Sequence, residues 1–192
     1  MSTRTRTTPD ARERLLEAAD RLFYRDGIRA AGVDTIIAEA GVAKMTLYSH
    51  FASKDELIAE YLRRRGRAVR AWLAEAAARH AAKSPDRLAA LFAALKEWFA
   101  LPDFRGCAFQ NAAAELPDPA HPGRAAVVEH RALFAALVAD VLRADRVRDP
   151  ESAAAGVVLL IDGAIVAAGC GGAAEAADRA HAAARKLLGR GR

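Results

Sequence analysis

A chain of 192 residues with 53% hydrophobic content has ample room for a buried core. Its two cysteines are too few for a disulfide or zinc framework, and no cofactor is expected. Residues 1–70 hold 14 Lys and Arg against 10 Asp and Glu, whereas residues 71–192 hold 15 against 14, so the basic excess sits in the first third. Abundant Ala without long β-branched alternation predicts an all-α fold. Residues 1–7 form a basic arm, and Thr8-Pro9 reads as N-cap and first residue of a helix. Leu15, Leu16, Ala19, Leu22 and Phe23 trace its inner face, and Asp26-Gly27 ends it. Val33, Ile36, Ile37 and Ala40 mark a second helix, and 44–51 a third. The fourth runs from Ser53 to about His80, and the fifth from Ser84-Pro85 to Leu101-Pro102. A short helix over 107–115, a long seventh to about Ala144, an eighth capped by Asp149-Pro150 and a ninth beyond Gly171-Gly172 complete about nine helices.

Residues 41–57, GVAKMTLYSHFASKDEL, carry the most chemistry. Gly41 allows a tight inter-helix turn and Val42 pins it to the core. Lys44, Thr46, Tyr48 and His50 offer hydrogen-bonding groups along one short helix, while Leu47 and Phe51 face inward. Ser53 and Glu56 form a capping box for the next helix. A short helix with one apolar and one hydrogen-bonding edge is what reading a DNA major groove requires. The expected organisation is a helix-turn-helix domain with a basic arm over 1–52, then a helical bundle over 53–192 that shares the helix starting at 53.

Residues 10–65, through Leu15–Gly27, Val33–Val42 and Lys44–Leu57, resemble the N-terminal domain of TetR/AcrR-family bacterial transcription regulators. The chain departs from the family pattern at Gly32, a weaker N-cap than the usual Thr, and carries Met45 where the family varies. The resemblance implies DNA contacts by Thr35, Lys44, Met45, Thr46, Tyr48 and His50, with Lys54 adding charge beside a helix N-terminus. Arg4 and Arg6 on the arm could reach a minor groove or simply solubilise the tail. Arg63-Arg64-Arg65 reads more simply as a solvated helix face.

The eighth helix, 153–170, is apolar nearly all round and needs cover on two sides. Small residues there permit close packing, and the family dimerises through its last two helices. The expected dimer contact is Gly156, Leu160, Ala164, Ala167 and Ala168. The segment is long enough to span a membrane, yet Asp162 and three glycines argue for a helix buried between protein surfaces. With no apolar leader at the N-terminus, a cytoplasmic location without membrane contact is expected. Trp98, Phe99, Phe104, Cys107, Phe109, Asn111 and Glu115 offer aromatics with a few polar groups. That composition suits a ligand pocket and equally suits any core with a loop. The family's C-terminal bundles commonly bind an effector, so the resemblance implies a pocket here. No phosphate-binding loop, nucleophile elbow or metal-ligand cluster is present, and no enzyme is expected. The expected function is a homodimeric repressor released from a palindromic double-stranded DNA operator by a small, largely apolar effector. The alternative is an effector-free DNA-binding dimer whose bundle serves only dimerisation.

Overall fold

The computed structural model describes residues 10–82 and 85–190, with nine α-helices among them. Helices α1 (Ala11–Asp26), α2 (Val33–Ala40) and α3 (Lys44–His50) make an N-terminal lobe, and α4 (Lys54–Ala81) leads out of it. Helices α5 (Arg87–Phe99), α6 (Ala108–Glu115), α7 (Pro122–Ala144), α8 (Pro150–Ala167) and α9 (Ala173–Leu187) build the bundle, with a π-helical turn, Ala168–Gly172, between the last two. Thr8, Pro9 and Ser84 lie outside the described residues. The cap seen at α1 is Asp10, whose carboxylate accepts from Glu13 N at 2.7 Å. Asp86 does the same for α5, accepting from Ala89 N at 2.8 Å. An aspartate satisfies an orphan donor as well as a hydroxyl does, which displaces both starts by one or two residues.

Gly41 ends α2 in the left-handed conformation (φ 62°), the geometry that the turn into α3 demands. Ser53 caps α4 by accepting from Glu56 N at 3.1 Å, and Glu56 returns to Ala52 N at 2.6 Å. With both first-turn donors met, α4 runs 28 residues, about 42 Å. Its length links two distinct cores. Leu57, Ile58, Tyr61 and Leu62 close the first core together with α1–α3 and with Phe109, Ala112 and Leu116 around α6. Leu73 and Ala76 join the second core, built from α5, α7, α8 and α9. The first core thus extends well past residue 52.

Helix α8 packs on both α7 and α9. Gly156 lies at the α8–α9 approach, where an added Cβ would sit 2.7 Å from Leu187 Cδ2. Ala164 and Ala168, expected at a dimer contact, are only 4% and 5% exposed within the protomer, because helical spacing turns them onto its own core. The outward stripe is instead Ala155, Leu159, Gly163, Val166 and Ala167, with Leu159 64% and Val166 57% exposed. Gly156 and Leu160 are intermediate. The span from Pro150 to Gly172 is long and apolar enough to cross a membrane. Its midpoint, however, holds Asp162 in an ion pair with Arg131 at 2.7 Å, a protein contact that suits a bundle helix.

Candidate nucleic-acid interface and effector cavity

Helix α3 is fastened by Leu47, which is fully buried, and by Phe51 just beyond its end. This fixes the opposite edge outward. Lys44, Met45, Tyr48 and His50 are exposed, Met45 by 80%, and Thr35 of α2 is exposed beside them. Thr46 is half-buried. Lys44 Nζ reaches Asp34 at 3.1 Å across open solvent, a pair weak enough for a phosphate to replace. Lys54 is placed otherwise. Its ammonium donates to the Ile28 carbonyl at 2.7 Å and sits over the Phe23 ring, and burial lowers its pKa. Lys54 ties α4 to the end of α1, so its charge is turned toward the protein. Arg4 and Arg6 lie outside the described residues.

The run Arg63-Arg64-Arg65 is not a solvated face. Arg64 pairs with Glu13 at 2.7 Å and Arg65 with Asp20 at 2.8 Å, both on α1, while Arg63 holds Glu60 at 2.9 Å on its own helix. Arg65 also stacks 3.7 Å over the Tyr24 ring. The Tyr24 hydroxyl in turn donates to the Gly106 carbonyl and accepts from Arg105 N, each at 3.0 Å. Glu115 accepts from Arg29 N at 2.8 Å. Helix α1 and the turn that follows it are therefore joined to α4 and to both ends of the α6 region by charged or polar contacts.

A cavity of about 630 Å³ opens in the bundle, walled by α4, α5, α6, α7 and α8 and edged by Asp20 of α1. Of the seven residues expected at a pocket, Trp98, Cys107 and Phe109 line it. Phe99 is buried in the bundle core, and Phe104 packs edge-on against Trp98 at 5.1 Å. Phe104, Asn111 and Glu115 instead border a separate, more polar crevice beside the end of α1. Asn111 there donates to the Arg105 carbonyl at 3.1 Å. The reason is helical phase: α6 turns Phe109 and Gln110 to the cavity and Asn111 away from it.

Sequence reasoning missed most of the wall. Val69, Trp72, Gln110, Val127, His130 and Phe134 line the cavity, as do Arg64, Arg65, Arg124, Arg131, Asp20 and Asp162. One signal was available. Gly66 interrupts a long helix at a cost in stability, which marks a close approach. A Cβ there would meet Phe109 Cζ and His130 Nδ1 at 3.2 Å each. Those two rings stack face to face, with centroids 3.5 Å apart. Burial, and secondarily the Arg70 charge, pushes His130 down to about 4, so it is neutral near pH 7. Burial raises the Cys107 thiol, which keeps it protonated and unreactive.

A short outward helix held by a buried leucine, following a left-handed glycine turn, defines a helix-turn-helix DNA-binding domain, here carried by an all-α bundle. Residues 15–61 match the family described as "Bacterial regulatory proteins, tetR family", and residues 84–184 match "Tetracyclin repressor-like, C-terminal domain". The chain belongs to the TetR family. It is 47% identical over 55 residues to the transcriptional activator FasR of Mycolicibacterium smegmatis. It is 46% identical over 52 residues to the transcriptional repressor KstR2 of Mycobacterium tuberculosis. These segments cover 29% and 27% of this chain but only 25% and 26% of those relatives. Over the whole fold it is similar to a TetR-family regulator from Streptomyces coelicolor, at 38% identity and TM-score 0.80, covering 93% of this chain and 94% of that one. A second structure, a regulator from Streptomyces avermitilis, gives 31% identity and TM-score 0.75, covering 94% and 99%.

Proposed function

We propose that this chain is a homodimeric transcription repressor, acting in the cytoplasm, that leaves a palindromic operator when a small, largely apolar effector enters the bundle cavity. One observation carries the reading: a single helix, α4, closes the core beneath the DNA-facing edge and also walls the cavity. The reading assigns DNA contact to Thr35, Lys44, Met45, Thr46, Tyr48 and His50, and gives Lys54 the task of holding α4 against α1. The helix-turn-helix unit is taken as residues 1–52 and the effector and dimerisation bundle as 53–192, with α4 common to both. The outward stripe of α8 supplies the apolar area for a twin subunit. Two recognition helices then face successive major grooves about 34–36 Å apart, or a multiple of it. An effector that prefers a wider spacing by about 1–3 kcal/mol weakens operator binding 5–150-fold.

The alternative, a dimer without effector, leaves a largely apolar cavity with a few convergent polar groups unused, and such a concavity is what a small-molecule site needs. Selection of binding sites from random duplex DNA tests the proposal. It should return two inverted half-sites, with affinity falling steeply as salt rises. Tyr48→Ala should then weaken binding by about tenfold or more without changing the melting temperature. Wild-type affinity in both Tyr48→Ala and Lys44→Ala would remove α3 from the DNA.

A further inference from the structure

Charge inside the cavity is not balanced. Four guanidinium groups line it, those of Arg64, Arg65, Arg124 and Arg131, against two carboxylates, Asp20 and Asp162. His130 adds nothing to the positive side, being neutral near pH 7. Both carboxylates are engaged. Asp162 accepts from Arg131 at 2.7 Å and from Gln110 at 3.0 Å, and Asp20 from Arg65 at 2.8 Å. Arg124 donates to the Ala113 carbonyl at 3.2 Å. Arg64 is the least satisfied: its Nη2 reaches Glu13, while its buried Nη1 has no acceptor among the described residues. A buried charged donor left unmade is costly, so an acceptor entering the cavity gains what water would otherwise supply.

Arg64 and Arg65 also face two ways. From adjacent positions on α4 they line the cavity, and through Glu13 and Asp20 they hold α1 of the N-terminal lobe. Resting on the effector reading above, we propose that the ligand is an amphipathic organic anion. Its apolar body lies along Val69, Trp72, Trp98 and Phe134, and its acid group sits at Arg64 and Arg65. There it accepts from the free Nη1 of Arg64 and competes with Glu13 and Asp20 for the remaining donors of the two guanidinium groups. Occupation loosens the ties between α1 and α4, and the N-terminal lobe gains freedom to turn against the bundle. Linkage requires the reverse as well, so DNA that holds the lobe in place weakens anion binding by the same factor.

A matched pair of fluorescent probes tests this on the full chain: 1-anilinonaphthalene-8-sulfonate, and N-phenyl-1-naphthylamine, which has the same aromatic body without the acid. Both should light up in the cavity and quench Trp72 and Trp98, the chain's two tryptophans, each of which lines it. The sulfonate should bind about tenfold tighter or more, the value of a charge-assisted hydrogen bond. Arg64→Met should erase that margin while leaving the neutral probe unmoved. Glu13→Gln removes the competitor instead of the site, and should raise sulfonate affinity severalfold with no change for the amine. Equal affinity of the two probes in the wild type would overturn the anion inference and leave the effector reading standing. Failure of both probes to bind would sink both readings. Unchanged sulfonate affinity in Glu13→Gln would overturn the competition with α1, even if Arg64→Met does not fold.

Discussion

The two lobes use their apolar residues in opposite ways. In the N-terminal lobe Leu15, Leu47, Phe51 and Leu57 are at most 1% exposed, and the core they form turns its working surface outward. In the bundle Trp72, Trp98 and Phe134 remain half-buried, ringing a cavity of about 630 Å³. A groove reader needs a rigid convex edge, so its interior is filled. On the proposed effector reading the bundle needs a concavity, so part of its interior is left unfilled, and close packing is given up where binding would restore it. The same substitution should therefore have different consequences in the two places.

The largest effect is expected on α8. Ala164→Arg puts an unpaired charge into the bundle core and should cost about 4 kcal/mol or more, unfolding the chain or making it insoluble. Leu159→Arg, about one and a half turns away on the outward stripe, should leave the melting temperature of the protomer nearly unchanged yet abolish dimerisation. Sedimentation at micromolar concentration separates the two. A Leu159→Arg protein that still sediments as a dimer would place the subunit contact elsewhere.

Next comes the filled core. Leu47→Ala should lose about 2–5 kcal/mol, because the cavity it leaves lies among fully buried neighbours. Tyr48→Ala, the adjacent residue but 46% exposed, should stay within about 0.5 kcal/mol of the parent. Urea denaturation of the pair reads the contrast directly. Similar losses in both would mean that α3 is not held by one face.

This contrast also explains what the sequence made legible. The outward edge of α3 is built from near neighbours, so 3.6-residue spacing and the Gly41 turn place exposed Lys44 and Tyr48 opposite buried Leu47. The all-α class and the order of the nine helices follow from the same local rules. The cavity wall is assembled from six helices, and local rules do not say which face of each turns toward which. Hence Phe104, Asn111 and Glu115, close in sequence to Cys107 and Phe109, border a different crevice. Arg64, His130 and Arg131 join the cavity from α4 and α7. Ala164 is turned onto its own core for a related reason: a helix apolar on every side does not announce which side is outward.

His130 gives a smaller, pH-dependent effect. Its pKa is about 4 in the folded chain against an ordinary value near 6.5, chiefly because burial disfavours the imidazolium. The folded state thus binds fewer protons than the unfolded state between those values. The associated stability is fully present above pH 6.5, declines below it, and is lost as pH falls through about 4. Allowing for partial solvent screening, the loss is about 1–2 kcal/mol. His130→Phe, which keeps the stack on Phe109, should flatten that part of the pH–stability curve. An identical acid limb in the variant would assign the loss to other groups.

The smallest expected change in stability carries the sharpest information about the cavity. In a filled core, adding methylenes costs about 1–3 kcal/mol because neighbours must leave their rotamers. Val69 lies on α4 with its side chain against the open volume, so Val69→Phe adds a ring where there is space for one. The change in stability should be within about 1 kcal/mol and could be a gain, since the new contacts are dispersion without displaced atoms. The comparison is Ala19→Phe in the N-terminal lobe, where the parent side chain is fully buried in the filled core and the same added ring should unfold the lobe. Val69→Phe should also weaken binding of the naphthalene probes while leaving DNA binding intact, because the ring takes up part of the cavity without touching α3. A Val69→Phe protein as damaged as Ala19→Phe would show that the bundle collapses onto itself in solution. The contrast between a filled lobe and an open one would then be lost.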